Sequence, residues 1–121
     1  MCRLEHHPPA DAIKSGTHVT SVGYAPPGSE LPLELIDRST VYVESKAAYQ
    51  PGPVGCAELA GRDAAKGIEV GELLAGTRPG RTSRDQITLY KSMGNAMEDM
   101  IAANVVYQAA LKAGIGGRAM I

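Results

Sequence analysis

The stretch Val22-Gly23-Tyr24-Ala25-Pro26-Pro27-Gly28-Ser29-Glu30-Leu31 leads from β-branched residues into a Pro-Pro-Gly turn. A turn at the carboxyl end of a strand is where α/β sheets hold their ligands. Acid–base chemistry there needs a group that carries a proton, yet the tip holds Ala25, and the nearest carboxylate, Glu30, lies beyond the turn. A second candidate is Ser92-Met93-Gly94, a hydroxyl on permissive backbone just ahead of an expected helix. Such a position can bind an anion through its N–H groups and the helix dipole, or it can simply cap the helix, and the residues leave both readings open. A third is Arg78-Pro79-Gly80-Arg81-Thr82-Ser83-Arg84, whose guanidinium groups and hydroxyls suit a phosphate or carboxylate. Charged loops are common, and a solvated surface loop is the preferred reading.

Other candidates carry less. Cys2, His6 and His7 are soft ligands at close spacing, but a structural zinc site wants four ligands and His18 is the one further imidazole. No metal site is expected. His18 falls on an expected strand and reads as a satisfied structural histidine. Cys56, between Gly55 and Ala57, has no base beside it and reads as a small packing residue. Gly114-Ile115-Gly116-Gly117-Arg118-Ala119 fits the dinucleotide pattern G-x-G-x-x-A. The pattern works by turning from a strand into a helix, whereas this copy follows a helix, so Gly114 reads as a helix stop.

These groups must be positioned by short elements. Residues 17–22 are β-branched and end at Gly23, which predicts a strand, and residues 40–44 predict a second. Residues 31–37 leave room for two helical turns, with Pro32 tolerated near the start. Glycines and prolines punctuate residues 50–80, so only short helices fit there, with 57–65 and 70–75 as candidates. Residues 87–91 alternate as a strand would, although periodicity also permits the opening of a helix. A long helix is predicted over residues 95–113, with Asn95 as N-cap, Glu98 and Asp99 in the first turn and Gly114 as the stop. Between Met100 and Leu111 only Asn104 and Gln108 are strongly polar, so nearly the whole circumference must find cover. Residues 1–15 read as an irregular lead, 16–92 as the α/β part, 93–114 as the long helix and 115–121 as a mobile tail. The expected fold is α/β, a partial parallel sheet of about three visible strands, fewer than the roughly 4–6 of a usual sheet.

Composition narrows the partners. The chain has 121 residues, one domain's worth, with 12 basic and 13 acidic side chains and a net charge of -1. That balance leaves no electrostatic footprint for nucleic acid or an anionic membrane. No apolar run approaches the roughly 18 residues of a spanning segment, and the first residues lack a signal peptide's apolar core. A soluble, cytoplasmic chain with reduced thiols is expected. With no Phe and no Trp, its core must be built from aliphatic residues and Tyr, which makes association with a second copy a natural way to finish the burial.

Two segments, SGTHVTSVGYAPPGSELPLELIDRSTVYVES and VGELLAGTRPGRTSRDQITLYKSMGNAMEDMIAANVVYQAAL, together resemble the C-terminal third of the ornithine cyclodeaminase and mu-crystallin family. The resemblance covers about residues 15–113. It implies the closing strands of a Rossmann-type domain, with residues 86–92 as the last strand, followed by a helix returning to a substrate and dimerisation domain. It further implies NAD or NADP as cofactor and amino-acid or imine oxidoreduction or deamination as the reaction. On this resemblance Val22, Gly23 and Tyr24 would line the nicotinamide side of the cofactor site, Ala25 and Ser29 would belong to the cofactor site as well, and Ser92 and Met93 would meet cofactor or substrate.

Two departures bear on the chemistry. Ala25 stands where the cyclodeaminases are expected to keep a proton-carrying Asp, and Ser29 where a Lys is expected; a methyl group transfers no proton and a hydroxyl brings no positive charge. No catalytic residue is therefore assigned. The Gly-rich phosphate turn and the substrate domain that the resemblance implies are not among these residues, so the expectation is a truncated family protein, inactive by itself, with weak or no cofactor binding. A missing N-terminal partner and a homodimer through residues 95–113 are the expected associations. The alternative is a non-catalytic homo-oligomeric binding or assembly module.

Overall fold

A computed structural model describes residues 9–23, 28–117 and 119. The calls on Cys2, His6, His7, Tyr24, Ala25 and Arg118 fall on residues outside that description.

Four strands form one parallel sheet: β1 (His18–Ser21), β2 (Ser39–Val43), β3 (Ile68–Glu69) and β4 (Ile87–Lys91). Their spatial order is β1-β4-β2-β3, with β4 held on one side by β1 and on the other by β2. The fold class is thus the expected α/β, with one more strand than the sequence reading saw. At two residues, β3 is too short to leave a periodic trace. Residues 87–91 resolve as a strand because both neighbours supply ladder partners, which no local pattern encodes.

Side chains alternate across the sheet with period two. Ile87 and Leu89 share one face with Val41 and Val43, and α1 (Leu33–Asp37) lays Leu35 and Ile36 against that face. Tyr49, Cys56 and Leu59 close the core from the connection after β2. The opposite face carries His18, Thr20, Thr40, Tyr42, Thr88 and Tyr90. Ahead of β1, Arg38 donates to the carbonyls of Ala10 and Ile13 and ties a short 3-10 turn at Ala10–Ala12 to the end of α1.

The helix expected over 57–65 does not form. A single turn closes where the Leu59 and Ala60 N–H groups reach the Cys56 carbonyl, and then Gly61 takes φ +77. That left-handed conformation ends the turn, and a 3-10 helix at Ala64–Lys66 follows, capped by Asp63. The short α2 (Val70–Leu74) forms as expected, within a capping box of Glu69 and Glu72.

The long helix α3 (Ala96–Ala113) has the predicted ends: the Asn95 side chain accepts from the Met97 N–H, and Gly114 adopts φ 66. What the pattern did not predict is where it lies. None of its residues is buried, and Met100, Ile101, Val105, Val106 and Leu111 are all more than half exposed. The cover its composition demands is not supplied by the other described residues. Among the described residues, no helix is long and apolar enough to cross a membrane.

Candidate functional site

Parallel strands deliver their carboxyl ends to one edge of the sheet, and here β1, β2 and β4 end beside one another at Ser21, Val43 and Lys91. Lys91 falls in step with Ile87 and Leu89, so the pleat points its side chain into the core face, where it is only 1% exposed. An ammonium there needs partners. Its Nζ donates to the Gly23 carbonyl at 2.6 Å, to Glu30 Oε2 at 3.0 Å and to Ser21 Oγ at 3.1 Å. Those three bonds use its three protons. Glu58, itself 3% exposed, stands 3.0 Å away as an ion-pair partner, and its Oε1 receives no hydrogen bond.

Glu30 answers the question its loop raised. Its Oε2 accepts from Ser21 Oγ at 2.6 Å and from the Gly23 N–H at 3.0 Å, as well as from Lys91. The carboxylate therefore turns back onto the strand end, so close that a Cβ at position 23 would displace it. The Ser21 hydrogen bond, with Lys91 and the Gly23 N–H, holds the Glu30 carboxyl below its usual range against the opposing effect of partial burial. At Lys91 burial opposes the charge, but Glu30 and Glu58 outweigh it and raise the pKa. The result is a locked cation: it carries no proton that leaves near neutrality and offers no lone pair, so it positions backbone and does no acid–base work.

A second carboxylate closes the neighbouring strand end. Glu44, directly after β2, accepts from Ser92 Oγ at 2.7 Å and from the Met93 N–H at 2.9 Å. Ser92 Oγ in turn accepts from the Gly94 N–H at 3.2 Å. The donors that could take an anion ahead of α3 are thus bound to this protein's own carboxylate, and Asn95 caps the helix beyond them. Among the sequence candidates, Gly23, Ser92 and Met93 are brought to this edge, and Val22 beside them is 69% exposed. Ser29 instead spends its hydroxyl within its own turn, donating to the Leu31 carbonyl at 2.7 Å and accepting from the Leu31 N–H.

The residues present fit one part of a dinucleotide better than another. Val22 offers apolar surface to a nicotinamide ring, whereas Met93 is partly buried against the core. For a pyrophosphate the edge has three carboxylates, at Glu30, Glu44 and Glu58, and its one lysine is already spent on two of them. The described strand ends hold no free cation for phosphate oxygens, and the start of α1 at Pro32, which has no side-chain cap, opens a helix of only five residues.

Lys91, Glu44 and Glu58 escaped the residue-by-residue reading. Lys91 had a usable signal, since period-two counting from Ile87 and Leu89 points it inward and an inward lysine demands acids. Glu44 and Glu58 had none, because their partners lie far along the chain. The remaining candidates lie elsewhere. His18 is satisfied, Nδ1 by Thr88 Oγ1 at 2.8 Å and Nε2 near Thr20 Oγ1 at 3.3 Å. Cys56 is 1% exposed with its thiol on the Ala48 carbonyl, and burial pushes its pKa up, as befits packing. In the arginine loop Arg81 lies against the backbone, donating to the Thr17 and Gln86 carbonyls and to Thr88 Oγ1.

The profile of the ornithine cyclodeaminase/mu-crystallin family matches residues 9–114. The alanine dehydrogenase of Archaeoglobus fulgidus is 31% identical over 113 residues, 90% of this chain and 35% of that protein. A Delta(1)-pyrroline-2-carboxylate reductase of Bacillus cereus is 34% identical over 115 residues, again 90% of this chain and 35% of its own length. Among solved structures, the Thermococcus litoralis Delta(1)-pyrroline-2-carboxylate reductase in complex with NADH and L-proline superposes with a TM-score of 0.75 at 32% identity. It covers 91% of this chain and 36% of that one. The chain thus spans about a third of the length of the relatives it matches.

Proposed function

The chain belongs to the ornithine cyclodeaminase/mu-crystallin family, and we propose that it supplies the nicotinamide-side end of an NAD(P)-dependent amino-acid or imine oxidoreductase fold. The observation that supports this reading is the edge where β1 and β4 end, with Gly23 held between Glu30 and Lys91 and with Val22 left to meet a ring. The reductase and dehydrogenase side of the family is favoured over ornithine cyclisation, because Ala25 has no proton to exchange. These residues by themselves turn over no substrate: Lys91 is locked, and no carboxyl group at the edge is free of a partner. They bind a dinucleotide weakly, through the nicotinamide half.

Calorimetric titration with NADH and NADPH tests this directly. Weak saturable heat, stronger for the whole cofactor than for adenosine diphosphate, is expected. A flat trace at about 1 mM cofactor, a concentration at which a contact worth about 4 kcal/mol is half saturated, rules out a retained site.

The exposed apolar helix favours a second reading beside the first: α3 pairs with a second copy, and the chain works as an assembly module. In sedimentation the chain runs as a dimer on this reading. Ile101→Asp, at a side chain 57% exposed in the single chain, converts it to monomer without unfolding the sheet. A wild-type chain that sediments as a clean monomer sinks the pairing.

A further inference from the structure

The described residues leave two apolar surfaces without cover. One is α3, and the other is the sheet face opposite the core, where a groove of about 400 Å³ runs between Val70 and Leu73 of α2, Gly80, and Thr88 and Tyr90 of β4. Its walls are almost wholly apolar. Parallel sheets are found almost only with both faces covered, yet on this face α2 stands beside β3 and leaves His18 and Thr20 of β1 exposed. The element whose composition suits the missing cover is α3, but it does not reach its own sheet: none of its residues is buried, and none lines the groove. Glu44 holds Ser92 Oγ and the Met93 N–H, so the turn that leads into the helix is fixed from the strand ends.

We propose that the groove receives α3 of a second copy, and that the exchange is reciprocal, each chain giving its helix and taking its partner's. This rests on the pairing of α3 with a second copy and names the surface that pairing uses. Three features match helix to groove. The 18 residues of α3 extend about 27 Å, and the five-residue strands beneath the groove about 17 Å, so the helix spans the groove from end to end. Met97, Ile101 and Val105 recur at every fourth position on one helix face, each more than half exposed, and supply apolar cover for Tyr90, Leu73 and Val70. The loop that borders the groove at Gly80 carries Arg78 and Arg84, and the first turn of α3 carries Glu98 and Asp99; among the described residues none of the four has an ion-pair partner. With the start of α3 toward that loop, opposite charges meet at the rim. Reciprocal exchange has two-fold symmetry and leaves neither surface bare, whereas α3 packed on α3 would leave both grooves open.

Sedimentation of two variants of the whole chain, alone and mixed, tests the exchange. Leu73→Glu spoils the groove and keeps the helix, and Ile101→Asp does the reverse. Each alone is expected to run as a monomer. Mixed in equal amounts they should form a heterodimer, because the intact helix of the first finds the intact groove of the second. With one contact of two remaining, its association should be at least about 10-fold weaker than that of the parent dimer. If Leu73→Glu stays dimeric and the mixture gains nothing, the groove is overturned while pairing through α3 stands; a monomeric parent chain overturns both. Should Leu73→Glu disturb α2, Arg84→Glu at the exposed rim is a second test: the dimer is expected to weaken about 5-fold, and Glu98→Arg in the same chain to recover most of that loss. A dimer that Arg84→Glu leaves as tight as the parent's would also overturn the proposal.

Discussion

Lys91 and α3 are separated by only a short turn, yet each has an environment opposite to what its residue types suggest. Lys91 is charged and 1% exposed, with polar partners on every side. The helix beyond the turn is apolar around most of its circumference, and not one of its residues is buried. The difference shows that residue type sets the demand for an environment, while the fold of a particular chain decides whether the demand is met. For Lys91, strand ends and two connections converge to satisfy it. For α3 the satisfying surface has to come from beyond the sheet.

The contrast can be broken most severely at Lys91. Lys91→Met leaves Glu30 and Glu58 facing each other without a cation, and a loss of about 3–5 kcal/mol is expected in urea unfolding. A smaller effect follows from Glu30→Gln, which keeps an acceptor for Ser21 and Gly23 but removes the charge opposite Lys91; about 1–2 kcal/mol should be lost near neutrality. The same variant has a pH signature. The folded-state pKa of Glu30 is lowered from 4.5, so its contribution is fully present above that value and is lost as pH falls through the lowered one. The acid limb of the stability curve should therefore be shallower in Glu30→Gln than in the parent.

At the turn between the two regions, Asn95→Ala removes the N-cap of α3 and should cost about 1 kcal/mol of helix stability. Circular dichroism should show earlier loss of helix, while unfolding of the sheet stays where it was. The smallest effect belongs to the helix face itself. Val106→Ser, at a side chain 68% exposed, should change the unfolding of a single chain by less than about 0.5 kcal/mol. A loss approaching that of Lys91→Met would mean that the helix is covered in solution and would erase the contrast.

Much of the fold could be read from local chemistry. The strands at β1 and β2 were marked by β-branched runs, α1 by the space after Pro32, and both ends of α3 by Asn95 and Gly114, whereas the periodicity of residues 87–91 left strand and helix open. The failures share a cause. A helix over 57–65 was compatible with composition but not with Gly61 in a left-handed conformation, and β3 exists only because β2 pairs with it. At the strand-end edge, Gly23, Ser92 and Met93 were among the candidates the sequence offered, whereas Glu44 and Glu58 were not. Glu44 meets residues far along the chain, and Glu58 reaches Lys91 from a connection without regular structure.

By itself, the sequence determined what depends on neighbours within a turn or two: which segments extend, which coil, where α3 starts and stops, and that Ala25 carries no proton. Tertiary structure alone decided the rest. It folded Glu30 back over Gly23, gave Glu44 the donors ahead of α3, and buried Lys91 between two acids. The physical reason is range. Backbone preference and capping act between adjacent residues, whereas the partners of a buried charge are chosen by which distant segments the sheet brings to the same edge.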